Sequence, residues 1–238
     1  MPDNPPKPPI RYLYKFRFAN GTEKDFEVLL DAQTLELVSE HRTPNPAWTK
    51  LDYFQCENCP LGNEVEYCPV AVNLSRLVES FKDAVSTETT NVTVHTAERV
   101  YARQTTLHKG LSSIIGIYMV TSNCPVMDKL RPNVRFHLPF ATREETIYRA
   151  IGMYLMAQYF LMRKGGKPDW ELQHFAEVYE AVSQVNEGFS KRVAHASIED
   201  ASVNAVIILS SFGQALDSFL EDSLAEISYL FNRDQKAE

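Results

Sequence analysis

"RYLYKFRFANGTEKDFEVLL", residues 11–30, decides the fold. Tyr12, Tyr14, Phe16 and Phe18 alternate with Arg11, Leu13, Lys15 and Arg17, the period of a strand with one aromatic face and one mostly basic face. After Ala19-Asn20-Gly21 the alternation resumes, with Phe26, Val28 and Leu30 on one parity and Glu23, Asp25, Glu27 and Asp31 on the other. A two-residue Asn20-Gly21 turn would pair odd positions with even ones and set Phe18 against Glu23. A three-residue loop pairs like parity, setting aromatic against aliphatic and Lys15 and Arg17 against the acidic residues. The register therefore predicts the three-residue form, with Gly21 in the left-handed conformation. The charged rows read as cross-strand support on a solvent face. "TLELV" (34–38) after the "DAQ" turn extends the expectation to a third strand and a meander.

Downstream, "PVAVNLSRLVESFKDAV" has the pattern of an amphipathic helix, and "NVTVHTAERVYARQT" that of a long strand or a bent pair. "GLSSIIGIYMVTSN" predicts a short helix buried nearly all round. "TREETIYRAIGMYLMAQYFLMRKGG" carries Thr142 as N-cap, Glu145 three residues on as a capping box and Gly165 past the end. Its segment Met153–Met162 reads as a buried helix, with Met153, Met156 and Met162 as core packing. Asp169 is taken as the start of the next helix, with Phe175, Val178, Val182, Val185 and Phe189 as its core stripe. Ser197 with Asp200 opens a last helix to about Phe231. Leu216, Leu220, Leu224 and Ile227 leave both internal packing and a homodimer open for it.

The expectation is an α+β protein: an N-terminal antiparallel β meander with a cysteine-rich loop, packed on a C-terminal bundle of about four helices. The division falls at 1–106 and 107–238, as two portions or one continuous domain. A chain of 238 residues is long enough for a real core. Its net charge of −7 argues against non-specific nucleic-acid binding. The longest apolar runs fall short of the roughly 20 residues of a membrane span. "MPDNPPKPPIRYLYKF" has neither the apolar region nor the cleavage site of a signal peptide, so a cytoplasmic, reducing setting is expected.

In that setting "CENCPLGNEVEYCP" (56–69) holds three of the four cysteines, and Cys124 is the fourth. Cys56-x2-Cys59 is a turn geometry shared by zinc knuckles and iron–sulfur sites. Pro69 and Pro125 make Cys68 and Cys124 candidate helix N-caps, where a thiolate is favoured. The four cysteines are therefore expected to hold one metal centre between the two portions. Cys-Pro recurs after cluster ligands, which tilts the reading towards an iron–sulfur cluster in a redox-responsive or regulatory role. The alternative is a zinc staple, with function in contact between the helices and a protein partner. His108 and His137 are candidate replacement ligands, and a three-cysteine centre with an open position would make an enzyme. A thioredoxin-like motif fits poorly in a turn-rich loop.

Elsewhere, "LRPNVRFHLPF" alternates, and Arg131, Arg135 and His137 form a candidate anion site near the Thr142 helix. Glu171 and His174 form a single Glu-x-x-His, too few for a di-iron bundle. The stretches "CENCP", "YCPVAVNL", "GLSSIIGIYMVTSNCPVM" and "RFHLPFATREETIYRA" resemble an uncharacterised family of bacterial proteins. The resemblance implies a bacterial cytosolic setting and no activity.

Overall fold

The computed structural model describes residues 7–38, 44–196, 200–207, 209 and 220–231. Strands β1 (Ile10–Phe18) and β2 (Glu23–Leu30) form the expected hairpin. Lys15 faces Asp25 and Arg17 faces Glu23. The Phe18 N–H donates to the Thr22 carbonyl at 2.9 Å and the Gly21 N–H to that of Phe18 at 3.0 Å. Gly21 has φ +84°, the left-handed value that a three-residue loop requires. The ion pairs Lys15–Asp25 and Arg17–Glu23, each 2.7 Å, line the exposed face with Arg11–Glu27.

The third strand departs from expectation. Leu37 makes only an isolated bridge to Leu30. The Asp31 Oδ1 accepts from the Gln33 and Thr34 N–H groups at 2.8 and 2.7 Å, and Leu35 turns through φ +58°, so 31–35 form a tight turn and only Glu36–Val38 return beside β2. The free edge of β1 is taken instead by β3 (Thr89–His95), which turns back as β4 (Val100–Thr106). The sheet is antiparallel in the order β2-β1-β3-β4, with β1 inside, rather than a meander.

Helices α1 (Pro69–Ser80) and α2 (Leu107–Val120) belong to the core that covers the apolar face of the sheet. Phe81 packs against Phe16 and Phe26, each with ring centroids 5.4 Å away. Helix α2 approaches the sheet at Gly110, where a Cβ would lie 2.9 Å from Val92 Cγ2 and 3.1 Å from Phe16 Cε1. Helix α3 (Arg143–Arg163) begins with the capping box of Thr142 and Glu145, and Gly165 (φ +82°) follows its end. Helix α4 (Phe175–Ala196) carries the expected stripe, with Phe175, Val182, Val185 and Phe189 buried. Residues 201–207 form α5, and Leu220–Ser228 form α6. Ser197 and Leu216 lie outside the described residues. Ile227 is buried, and Leu224 packs beside it.

Three further expectations are corrected. Helix α4 starts at Phe175 rather than at Asp169, whose carboxylate accepts from the Gln173 and His174 N–H groups while Leu172 turns through φ +59°. Glu171 and His174 therefore precede the helix. Met127–Phe136 forms a 3-10 helix, not an extended segment, which buries Val134 and leaves Phe136 77% exposed. The end of α3 is not core: Met156, Phe160, Leu161 and Met162 are exposed, because the contacts of α3 with the smaller core run from Ile147 to Leu155. Among the described residues, no helix is long and apolar enough to cross a membrane.

The larger core joins the sheet to α1, α2, the second half of α4 and α5, and so draws on both sides of residue 106. The smaller core joins α3, the start of α4 and α6. Gly110→Ala should destabilise the protein by about 1–3 kcal/mol through overpacking. Gly152→Ala in α3, where a Cβ meets nothing within 4 Å, should stabilise it by up to about 1 kcal/mol. Urea unfolding of the two variants checks both signs.

Candidate functional site

The four cysteines are free thiols. Cys68 precedes Pro69, the first residue of α1, as expected, and its carbonyl accepts from the Val72 N–H at 3.0 Å. Cys124 is not the expected N-cap, because the 3-10 helix starts at Met127 with Val126 as its cap; the Cys124 carbonyl accepts from the Asp128 N–H at 2.9 Å. Cys56 and Cys59 share a turn, closed by the Cys59 N–H on the Cys56 carbonyl at 3.0 Å. The Cys56 Sγ contacts the Val185 carbonyl of α4 at 3.9 Å. A Cβ on Gly188 would lie 2.8 Å from that sulfur, so α4 and the Cys56 segment touch closely. All four cysteines border one recess of about 20 Å³, walled by Pro60, Leu61, Val126 and Phe189.

This arrangement overturns the expected metal centre. Among the described residues, no three His, Cys, Asp or Glu side chains are grouped so that they could hold a metal ion. The thiols of Cys56, Cys59, Cys68 and Cys124 border a common recess without converging as ligands. Burial, with the neighbouring thiols adding to it, pushes the Cys56 thiol up to about 12. Burial also raises Cys68 and Cys124. Cys124 is buried in an apolar wall, and Cys56, Cys59 and Cys68 are half-buried beside it. The iron–sulfur and zinc readings, and the redox, regulatory and staple roles built on them, lose their basis here.

Beside the recess lies Arg192, 2% exposed. Its Nη1 donates to the carbonyls of Trp48 at 2.7 Å and Lys50 at 2.6 Å, and its Nη2 to those of Leu51 at 3.1 Å and Phe54 at 3.3 Å. One α4 side chain thus fixes the whole backbone run that leads into Cys56. Its position was legible in principle, because 182, 185, 189 and 192 continue one helical stripe.

A much larger cavity, about 520 Å³, lies among α2, the 3-10 helix, α3 and α4. Ile117, Val120, Met127, Val134 and Val182 supply apolar wall, and Arg149, Asn186 and His137 supply polar groups. The Arg149 Nη2 donates to the Asn133 carbonyl at 3.1 Å. Its Nε and the Asn186 Oδ1 are buried without a hydrogen-bond partner among the described residues. The His137 Nε2 lies 2.6 Å from the Tyr14 hydroxyl and 3.4 Å from Ser113 Oγ. Burial and the Arg149 charge push the imidazole down to about 3, and burial raises the Tyr14 phenol. At neutral pH His137 is a neutral group bonded to the central strand, and too weak a base to activate Ser113.

Of the three residues expected to bind an anion, His137 alone lines this cavity. Arg131 engages Asp128 at 2.5 Å and Asn123 at 2.6 Å, with Glu36 at 3.7 Å. Arg135 is exposed and lies over the Phe136 ring. Arg149 and Asn186 carry no motif. The available signal was a lone arginine between Ile147 and Ile151 in an otherwise apolar part of α3.

A family model described as a domain of unknown function, DUF6901, matches residues 12–232. The chain belongs to that family. Neither a curated protein nor a solved structure matches it.

Arg192→Met should destabilise the fold by about 3 kcal/mol or more, because four carbonyls lose their buried donor. Denaturant unfolding monitors this, and a cost under about 1 kcal/mol would contradict the clamp. The His137 imidazole sits below its ordinary value of 6.5, so the unfolded chain binds the extra proton first. Its contribution is complete above pH 6.5 and is lost as pH falls towards about 3. Melting scans should show a steeper loss of stability on acidification in the wild type than in His137→Gln.

Proposed function

We propose that this chain is a cytoplasmic small-molecule-binding protein whose site is the cavity among α2, α3 and α4. The observation that carries the reading is a pair of buried polar atoms on residues that line that cavity, Arg149 Nε and Asn186 Oδ1, which have no hydrogen-bond partner among the described residues. Each such atom costs about 1–3 kcal/mol while it lacks a partner. A ligand with one acceptor and one donor satisfies both. The volume and the apolar wall with a few placed polar groups suit a small organic molecule. On this reading the sheet with α1 and α2 is the floor, and the C-terminal helices form a bundle over it. The cysteine-rich segment 56–68 is a brace packed on α4. Four unpaired thiols agree with a reducing compartment.

The test uses N-phenyl-1-naphthylamine, a neutral apolar dye that brightens out of water. Saturable binding is expected in the micromolar range. Gly116 lines the cavity, and among the described residues a Cβ there meets only Leu209 Cδ2, at 3.9 Å. Gly116→Phe should therefore fill the cavity, weaken dye binding by about tenfold or more and leave the melting temperature nearly unchanged. Absence of saturable dye binding to the wild type would sink the reading.

A further inference from the structure

We infer that the molecule held in this cavity is an amphiphilic monocarboxylate, a single negative charge on an apolar body. The inference rests on the reading of the cavity as a ligand site, and a separate observation carries it. Four cationic side chains, Arg103, Lys109, Arg143 and Arg149, line the cavity, and among the described residues no Asp or Glu does. In a chain of net charge −7 this is a strong local inversion of sign. Low-dielectric walls around a cationic lining concentrate its field on whatever enters.

The four cations are not equivalent, and the difference selects the charge of the ligand. Arg103 and Lys109 are exposed, and Arg103 donates to the Phe140 carbonyl at 3.3 Å. Arg143 is engaged by Glu226, its Nε lying 3.0 Å from both carboxylate oxygens. Glu145 acts on Arg149 from outside the lining. Arg149 is half-buried, with Nη2 donating to the Asn133 carbonyl and Nε buried without a partner among the described residues. Its single charge matches a single anionic group. A doubly charged phosphate would call for a second buried cation beside it. Beyond Arg149 the wall turns apolar at Ile117, Val120, Leu130 and Val182, which suits an alkyl or aryl body and not a polar metabolite.

Displacement of the bound naphthylamine dye by decanoate and by 1-decanol, near pH 8 and below micellar concentrations, tests this on the full-length protein. The two competitors share a chain and differ in charge. Decanoate is expected to displace the dye at a concentration about tenfold or more below that of decanol, which equals about 1.4 kcal/mol of preference. Arg149→Met should shrink the ratio to about threefold or less while dye affinity persists, because only the anion loses its partner. Equal displacement by the two competitors, with the dye bound, would overturn the monocarboxylate and leave the ligand site standing. No dye binding, and no decanoate binding by calorimetry, would overturn both. The wild-type ratio decides the matter even if Arg149→Met fails to fold.

Discussion

The Arg192 guanidinium ties α4 to the segment that leads into the cysteines. It projects from α4 and donates to four carbonyls between Trp48 and Phe54. A buried charge is tolerated when its donors find acceptors, and here the acceptors are backbone carbonyls. The clamp fixes the approach to Cys56, and Gly188 lets α4 touch that segment without a side chain between them. The earlier part of the same helix then presents Tyr179, Val182 and Asn186 to the large cavity. The thiol recess and the cavity are thus two consequences of where α4 is held. One is packed shut and the other is open.

The contrast between the two sites is one of polarity and volume. The recess bordered by the cysteines has about 20 Å³ of space, and burial keeps three of its four thiols above their ordinary range. The cavity has about 520 Å³, and residues that line it carry buried polar atoms without partners among the described residues. It sits where the larger core, around the sheet, meets the smaller one, around α3 and α6. His137 bonds to Tyr14 of β1, an interior strand, so the cavity wall is tied to the sheet.

Features set by neighbours in sequence were legible. Period-2 alternation and the choice of loop length gave the β1–β2 register, the Thr142–Glu145 box gave the start of α3, and the 3.6-residue stripe gave the inner face of α4. Failures came where a side chain captured backbone. Asp31 curled a segment that alternates like a strand, and Asp169 capped a turn ahead of the helix it was expected to begin. The apolar end of α3 misled because composition does not say whether a neighbour covers it. The cysteine spacing drew attention to the wrong site, since spacing fixes which thiols are near one another but not whether they converge or ionise. Arg149 and Asn186 belong to different helices, and only tertiary packing turns them into one site.

The most direct probe of the account is the side-chain Nε–H resonance of Arg149, assigned by its loss in Arg149→Lys and followed by proton–nitrogen NMR as decanoate is added. The account predicts that this resonance shifts saturably and that its exchange with water slows, because the ligand supplies the acceptor that the protein does not. A resonance that stays in place while decanoate binds, or exchange already slow without ligand, would contradict it.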